Sequence, residues 1–148
     1  MNQIITFAIS LLAIIIFAMP MNSQTVTKAL VEKQATAWET HDVTSLIEDF
    51  APNAIFKAGG FTFNGIDAIR KTAENYFRNF TDTEVEIKRI IIEDNQGAVE
   101  WDWSDRNKTT GKPSAAEDAI VFELGDDGKI IYWREYIEKK KVKQTDAN

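Results

Sequence analysis

Residues 117–139 read EDAIVFELGDDGKIIYWREYIEK, and this stretch decides the fold. Apolar and polar residues alternate on both sides of Gly125-Asp126-Asp127-Gly128, which is the pattern of two β-strands joined by a tight turn. A four-residue loop sets Leu124 opposite Lys129. The same register gives three further pairs: Phe122 with Ile131, Ile120 with Trp133, and Asp118 with Glu135. The sequence therefore predicts a hairpin that sets two carboxyl groups side by side.

One face of this hairpin is more apolar than the other and is expected to be buried. Besides Asp118 and Glu135, it carries a set of apolar residues: Ile120, Phe122, Leu124, Ile131, Trp133 and Ile137. The opposite face carries an apolar, aromatic and arginine-bearing set: Val121, Ile130, Tyr132, Arg134 and Tyr136. Aromatic residues and arginine are enriched at protein interfaces, so we expect a homodimer.

Two carboxyl groups on a buried face predict either an acid–base pair or a cation site. Directly opposed residues of an antiparallel pair have Cβ atoms about 4.5–5.5 Å apart. Two buried carboxylates that close cannot both ionise at low cost, so one is expected to hold a proton near neutrality. Glu135 and Asp118 then offer a base and an acid for catalysis. They equally suit a cation, with Trp101, Trp103 and Trp133 supplying aromatic faces.

The same two acids also have an interpretation without chemistry. In it, Asp118 is solvated near the edge of the sheet, and Glu135 pairs with Arg134, Arg106 or a lysine. The residues that metal sites and nucleophilic triads commonly use are scarce in this chain. It has no cysteine, and its single histidine, His41, is expected at the surface or as a helix cap. We therefore expect no metal, no cofactor and no nucleophilic triad.

The remaining sequence predicts an α+β domain. Apolar periodicity indicates helices over residues 25–39, 43–49 and 66–78. Runs of alternating or β-branched residues indicate strands over residues 54–57, 61–63, 83–93 and 98–105, before the hairpin. The alternation slips within residues 83–93, which predicts a β-bulge near Lys88-Arg89. Helices concentrated early and an antiparallel sheet after them are typical of the α+β class.

An almost unbroken apolar run from Ile4 to Met19 stands apart from this domain. Its length suits the core of a secretory signal peptide better than a bilayer span, which needs about 20 residues. We predict a signal peptide over residues 1–23, cleaved near Ser23, and export to the periplasm or to the outside of the cell. An uncleaved N-terminal anchor is the alternative. The mature domain is predicted over residues 24–140, followed by a polar tail over residues 141–148.

The charge of the chain limits its partners. A net charge of -6 disfavours binding to a phosphate backbone, so we expect no nucleic-acid partner. The basic run Lys139-Lys140-Lys141-Val142-Lys143 is interpreted as a solvated end rather than a lipid-binding patch. We therefore expect no stable membrane association after removal of the signal peptide, and a small molecule as the ligand.

Four motifs, spread over most of the mature chain, carry a family resemblance. They are Trp38 with an acidic second helix, the step Asp49-Phe50-Ala51-Pro52-Asn53-Ala54, the helix start Gly65–Ile69, and the ending Asp127-Gly128-Lys129-Ile130 with Tyr132-Trp133-Arg134-Glu135-Tyr136. They resemble the nuclear transport factor 2-like superfamily, within which the SnoaL-like proteins and limonene-epoxide hydrolases look most similar. The resemblance implies a cone-shaped, curved antiparallel sheet wrapped around the N-terminal helices, with a pocket at its open end. We expect this lining: Phe56, Trp101, Trp103, Ile120, Phe122, Trp133 and Ile137.

The resemblance does not extend to the catalytic residues of these relatives. The epoxide hydrolases use an Arg-x-Asp pair where this chain has Trp101 and Trp103, and only their final-strand Asp is matched, by Glu135. The SnoaL cyclases have an Asp on the last strand where this chain has Arg134. We therefore expect an exported pocket protein that binds a small hydrophobic or cationic ligand. The alternative is an isomerase or hydrolase of a hydrophobic small molecule, with Glu135 as base and Asp118 as acid.

Overall fold

The computed structural model describes residues 23–142, with side chains from Thr27 onward. Within that range, three helices and six strands follow in this order: α1 (Ser23–Glu39), α2 (Val43–Glu48), β1 (Phe50–Ala58), β2 (Phe61–Asn64), α3 (Ile66–Asn79), β3 (Phe80–Glu93), β4 (Gln96–Asn107), β5 (Pro113–Leu124) and β6 (Ile130–Lys140). None of these helices has both the length and the apolarity to span a membrane. The predicted signal peptide and tail lie outside the described residues, apart from Ser23 and residues 141–142, so cleavage and export stay predictions.

The six strands form one curved sheet that does not close, in the order β2-β1-β6-β5-β4-β3. This arrangement confirms the predicted α+β class. The expected antiparallel sheet contains one parallel pair, β1 with β6. The backbone N–H of Ile130 donates to Asp49 O at 2.7 Å, so both strands start side by side. Phe50 pairs with Ile130 and Phe56 with Trp133, so both strands run in the same direction. The predicted bulge is confirmed, because the β3–β4 register shifts between Ile87 and Arg89.

A hydrophobic core joins the helices to one face of the sheet. The helices contribute large buried side chains that include Val31, Trp38, Leu46, Ile69 and Phe77. The sheet contributes Val99, Trp101, Ile120, Phe122 and Trp133 to the same cluster. The Trp133 ring lies 5.9 Å from that of Trp101 and stacks on Phe122 at 5.7 Å, measured between ring centroids. Full burial of one such side chain contributes about 1.5–3 kcal/mol, so this cluster carries much of the stability.

The β5–β6 hairpin has a different register from the predicted one. Phe122 pairs with Trp133, Ile120 with Glu135 and Asp118 with Ile137. The predicted direct pairing of the two acids is therefore wrong by two residues.

The turn explains the difference in register. The Gly125 N–H donates to Lys129 O at 2.8 Å, so Lys129 belongs to the loop. The strand register is also irregular just before the loop, between Glu123 and Leu124. Ile130 consequently points into the core, whereas Ile131 is 38% exposed, which reverses the predicted faces of these two residues.

The outer face of the sheet carries most of the predicted aromatic patch. Tyr136 is 50% exposed and Val121 is 40% exposed. The guanidinium carbon of Arg134 lies 4.5 Å from the centre of the Tyr136 ring, which is a cation–π distance. The patch is thus a surface of the monomer, and the homodimer stays a prediction.

Candidate functional site

A cavity of about 800 Å³ opens between helix α3, the β1–β2 hairpin and the ends of strands β4 to β6. Its wall is largely apolar and includes aromatic side chains from six elements: Trp38, Phe56, Phe63, Tyr76, Phe80 and Trp103. Three acidic residues also reach it: Asp105, Asp118 and Glu135. Small-molecule sites have volumes of about 300–1,000 Å³ and the same mixture of apolar walls and few polar groups.

Asp118 lies on the buried face of β5 and is only 5% exposed. Its register partner on β4 is Trp101, whose Nε1 donates to Asp118 Oδ2 at 3.2 Å. The other oxygen, Oδ1, is shielded from water, and no group among the described residues donates a hydrogen bond to it. Leaving a buried acceptor unsatisfied costs about 1–3 kcal/mol, and more for a charged group. The buried Asp118 carboxyl group therefore lowers the stability of the folded protein.

Glu135 lies on β6 and is half-buried. It faces the same side as Trp133, two residues earlier, and the Nε1 of that indole donates to Glu135 Oε1 at 3.0 Å. The observed register places Glu135 and Asp118 diagonally across β6 and β5 on one face. Diagonal neighbours in a sheet are about 7–8 Å apart, which is close enough for their charges to interact. Despite the shifted register, the two acids still face one cavity.

Neither of these two acids is neutralised by a cation within residues 23–142. Arg134 lies on the outer face against Tyr136, and Arg106 pairs with Asp82 at 3.3 Å. The interpretation in which an arginine neutralises Glu135 is therefore not what the structure shows.

Asp105 of β4 is a carboxyl group of a different kind. Trp103 Nε1 and the Tyr76 hydroxyl donate to its Oδ2 at 3.0 and 2.9 Å, and the Ser114 hydroxyl donates to its Oδ1. Asp105 thus accepts three hydrogen bonds, whereas Asp118 accepts one. Its role in the cavity wall is fixed by the protein itself.

A chain of hydrogen bonds connects Asp105 to His41. The Tyr76 hydroxyl lies 3.0 Å from Thr83 Oγ1, which lies 3.1 Å from His41 Nε2. The His41 ring also stacks on Phe77, with centroids 4.5 Å apart. The sequence predicts a surface or capping residue at this position, but the structure half-buries the imidazole and ties it to the cavity wall.

The structure divides the residues predicted for the site into two groups. Five line the cavity: Glu135, Asp118, Phe56, Trp103 and Ile137. Four lie behind its wall in the core, each with at most 1% of its surface exposed: Trp101, Trp133, Ile120 and Phe122. They share the inward face of the sheet, but they lie where the core covers them. Two of the four, Trp101 and Trp133, still reach the site through their indole N–H groups.

Sequence reasoning missed Asp105 and Tyr76, although both carried a signal. Asp105 has the same parity on β4 as Trp101 and Trp103, which places its side chain inward. Tyr76 follows Ala73 of the predicted apolar stripe by three residues, which is one helical turn. No set of three or more potential metal ligands occurs within residues 23–142.

The sequence model of the SnoaL-like domain family matches residues 31–133. The chain belongs to this family. No curated protein shows a significant sequence match. The predicted resemblance is thereby confirmed for the family and, with the solved structures below, for the fold.

Three solved structures illustrate the shared fold. A ketosteroid isomerase-like protein from Catenulispora acidiphila DSM 44928, in complex with trimethylamine, has a TM-score of 0.66 and 19% identity, over 72% of this chain and 83% of that one. An M. tuberculosis LEH-like epoxide hydrolase has a TM-score of 0.67 and 20% identity, over 77% and 84%. SalBIII, an epoxide hydrolase/cyclase-like enzyme of pyran ring formation in salinomycin, has a TM-score of 0.69 and 20% identity, over 79% and 94%. At these identities the likeness shows the fold alone.

Burial raises the pKa of both under-satisfied acids in this SnoaL-like domain. Desolvation is the main cause for Asp118, whose pKa rises to about 6 despite the hydrogen bond from Trp101. Desolvation and then the charge of Asp118 raise the pKa of Glu135 to about 8, against the hydrogen bond from Trp133. The larger shift falls on Glu135, for which desolvation is again the largest cause and the charge of Asp118 adds a smaller one.

The two acids therefore act as a pair that holds one proton near neutral pH. The proton resides chiefly on Glu135, and the negative charge resides chiefly on Asp118. This assignment reverses the roles expected from the sequence, in which Glu135 is the base and Asp118 the acid.

The raised pKa of Glu135 predicts how pH changes the effect of Glu135→Gln on stability. The unfolded chain releases this proton near pH 4.5 and the folded protein near pH 8, so the wild type loses stability as pH rises through that window. The loss is at most ~1.4 kcal/mol per pH unit. Chemical unfolding should show the free energy of unfolding of the variant increasing relative to that of the wild type from pH 4.5 to 8. Above pH 8 the difference between the two proteins should stay constant.

Glu123→Gln is the matched control, because Glu123 lies on the exposed face of β5. The difference in free energy of unfolding between Glu123→Gln and the wild type should stay constant from pH 4.5 to 8. Parallel stability curves for Glu135→Gln and the wild type would contradict the raised pKa of Glu135.

Proposed function

We propose that this SnoaL-like domain binds a small organic cation with a largely hydrophobic body. The observation that carries the proposal is a cavity of about 800 Å³ with two carboxyl groups, Asp118 and Glu135, that have no cationic partner in the described chain. A ligand with one positive charge matches the single negative charge that the pair retains near neutrality.

The electrostatics of the pair favour a charged ligand over a neutral one. A carboxylate that has left water for an apolar wall loses hydration, and the loss is offset only by a counter-ion or by hydrogen bonds. Asp105 shows the second solution in the same cavity, with three donors around one carboxyl group. Asp118 and Glu135 have one indole donor each. A bound cation would supply the missing compensation.

The aromatic walls favour an organic cation over an inorganic one. Phe56, Phe63, Phe80 and Trp103 present rings to the cavity, and the faces of such rings attract positive charge by about 0.5–2 kcal/mol each. The same rings cover alkyl or aryl groups at no desolvation cost to themselves. The structure of the Catenulispora acidiphila protein, which holds trimethylamine in the same fold, lends further support.

Two small molecules of similar shape test the cation site. N,N-dimethylbenzylamine is a cation at neutral pH, and N,N-dimethylbenzamide is its uncharged counterpart. Calorimetric titration should show the amine binding about tenfold or more tightly than the amide, which is ~1.4 kcal/mol. Asp118→Asn should remove most of that preference, and Glu123→Gln should leave it intact. Equal affinity of the wild type for amine and amide would contradict the proposal.

A second candidate function is general acid–base catalysis on a hydrophobic substrate, as an isomerase or hydrolase. The shared proton favours it, because a base at Asp118 and an acid at Glu135 coexist between the two pKa values. Both groups face one cavity, so a substrate could contact both.

Exchange of the hydrogen next to the carbonyl of hydrophobic ketones with solvent deuterium provides an assay for this activity. The rate should follow a bell between about pH 6 and 8, where Asp118 is ionised and Glu135 is protonated. Asp118→Asn should abolish the exchange, while Glu123→Gln should not. Unchanged exchange in Asp118→Asn would remove the pair from the reaction.

A further inference from the structure

Granted the cation site proposed above, the hydrogen bonding at Asp118 and Glu135 distinguishes two classes of organic cation. A protonated amine carries its charge together with at least one N–H donor. A quaternary ammonium carries the same charge behind methyl groups and donates nothing. Electrostatic attraction and aromatic walls accept both classes, so any selection between them must come from acceptors.

The two acids have acceptor capacity that the protein leaves unused. A carboxylate offers about four acceptor positions. Asp118 receives one donor, from Trp101, and nothing among the described residues donates to its Oδ1. Glu135 receives one indole donor, from Trp133.

Three indole groups at the cavity have no further donor to offer. Trp101 donates to Asp118, Trp133 to Glu135 and Trp103 to Asp105, so the single N–H of each ring is already committed. The rest of the aromatic wall consists of phenylalanine rings, which have no donor, together with Trp38 and Tyr76, and the Tyr76 hydroxyl already donates to Asp105. Thr72, Asn75, Lys139 and Lys140 also line the cavity, but none of them donates to either acid in the structure, so a ligand can supply the further hydrogen bond.

The Asp118 carboxyl group lines the cavity and keeps acceptor capacity on its hydrogen-bonded oxygen. Its residue lines the cavity, although Oδ1 is shielded from water in the ligand-free arrangement. Each carboxylate oxygen can accept about two hydrogen bonds, and Oδ2 receives one, from Trp101. A donor in the cavity can therefore engage this carboxylate while the indole of Trp101 keeps its own hydrogen bond.

We propose that the ligand of this cavity is a protonated amine that retains at least one N–H, and that this N–H donates to the Asp118 carboxylate. Such a bond is charge-assisted on both sides and is stronger than a neutral hydrogen bond. A quaternary ammonium in the same place would leave the buried acceptor empty. The site thus recognises a directed donor as well as a charge.

Benzyltrimethylammonium, compared with N,N-dimethylbenzylamine, tests this selection. The quaternary ion has one more methyl group, so burial and charge alone would favour it or leave the two equal. The purified protein should instead bind the tertiary amine about tenfold or more tightly at pH 7, as expected for one charge-assisted hydrogen bond. In Asp118→Leu, which removes the acceptor, the ratio of the two affinities should fall to about one.

Asp118→Asn provides a second variant, because its amide carbonyl still accepts a hydrogen bond without a charge. It should retain a reduced preference for the tertiary amine, which keeps the test decisive if Asp118→Leu fails to fold. Equal binding of both cations, with each tighter than the uncharged N,N-dimethylbenzamide, would overturn this inference and leave the cation site standing. Binding of neither cation above the amide would overturn both.

Discussion

The cavity depends on one repeated interaction, an indole N–H that donates to a carboxyl group. Trp101 holds Asp118, Trp103 holds Asp105 and Trp133 holds Glu135. An indole orients a carboxyl group but leaves its charge in place, whereas an arginine or a lysine would neutralise that charge. Two of these rings are fully buried in the core, so the packing that stabilises the domain also fixes the acids of the cavity. The core and the site are therefore parts of one arrangement.

Strand alternation explains why much of this arrangement could be predicted from the sequence. Residues two apart on a strand share a face, so Trp133 with Glu135, and Trp101 with Asp118 on the neighbouring strand, follow from parity and pairing. The helix boundaries, the bulge in β3 and the α+β class also follow from local periodicity. These features depend on residues close in sequence or on a face that is buried over its whole length.

The parts that could not be predicted depend on contacts between distant segments. The hairpin register shifts by two residues through the turn at Lys129 and the irregularity beside Leu124. The start of β6 is also held by the hydrogen bond from Ile130 to Asp49, more than eighty positions away. Parity placed Trp101, Trp133, Ile120 and Phe122 on the inward face, but it gives no depth, and the core covers all four. The hydrogen-bond chain through Tyr76 and Thr83 joins α3, β3 and the connection between α1 and α2, and no sequence pattern links those segments.

The proposed function depends most directly on Asp118 and Glu135 sharing a single proton at neutral pH. Carbon-13 nuclear magnetic resonance of the two side-chain carboxyl groups measures this directly, because each carboxyl shift follows its own ionisation. The account predicts that Asp118 titrates near pH 6 and Glu135 near pH 8, so that the pair carries one proton at pH 7. Complete ionisation of both groups below pH 5 would contradict it.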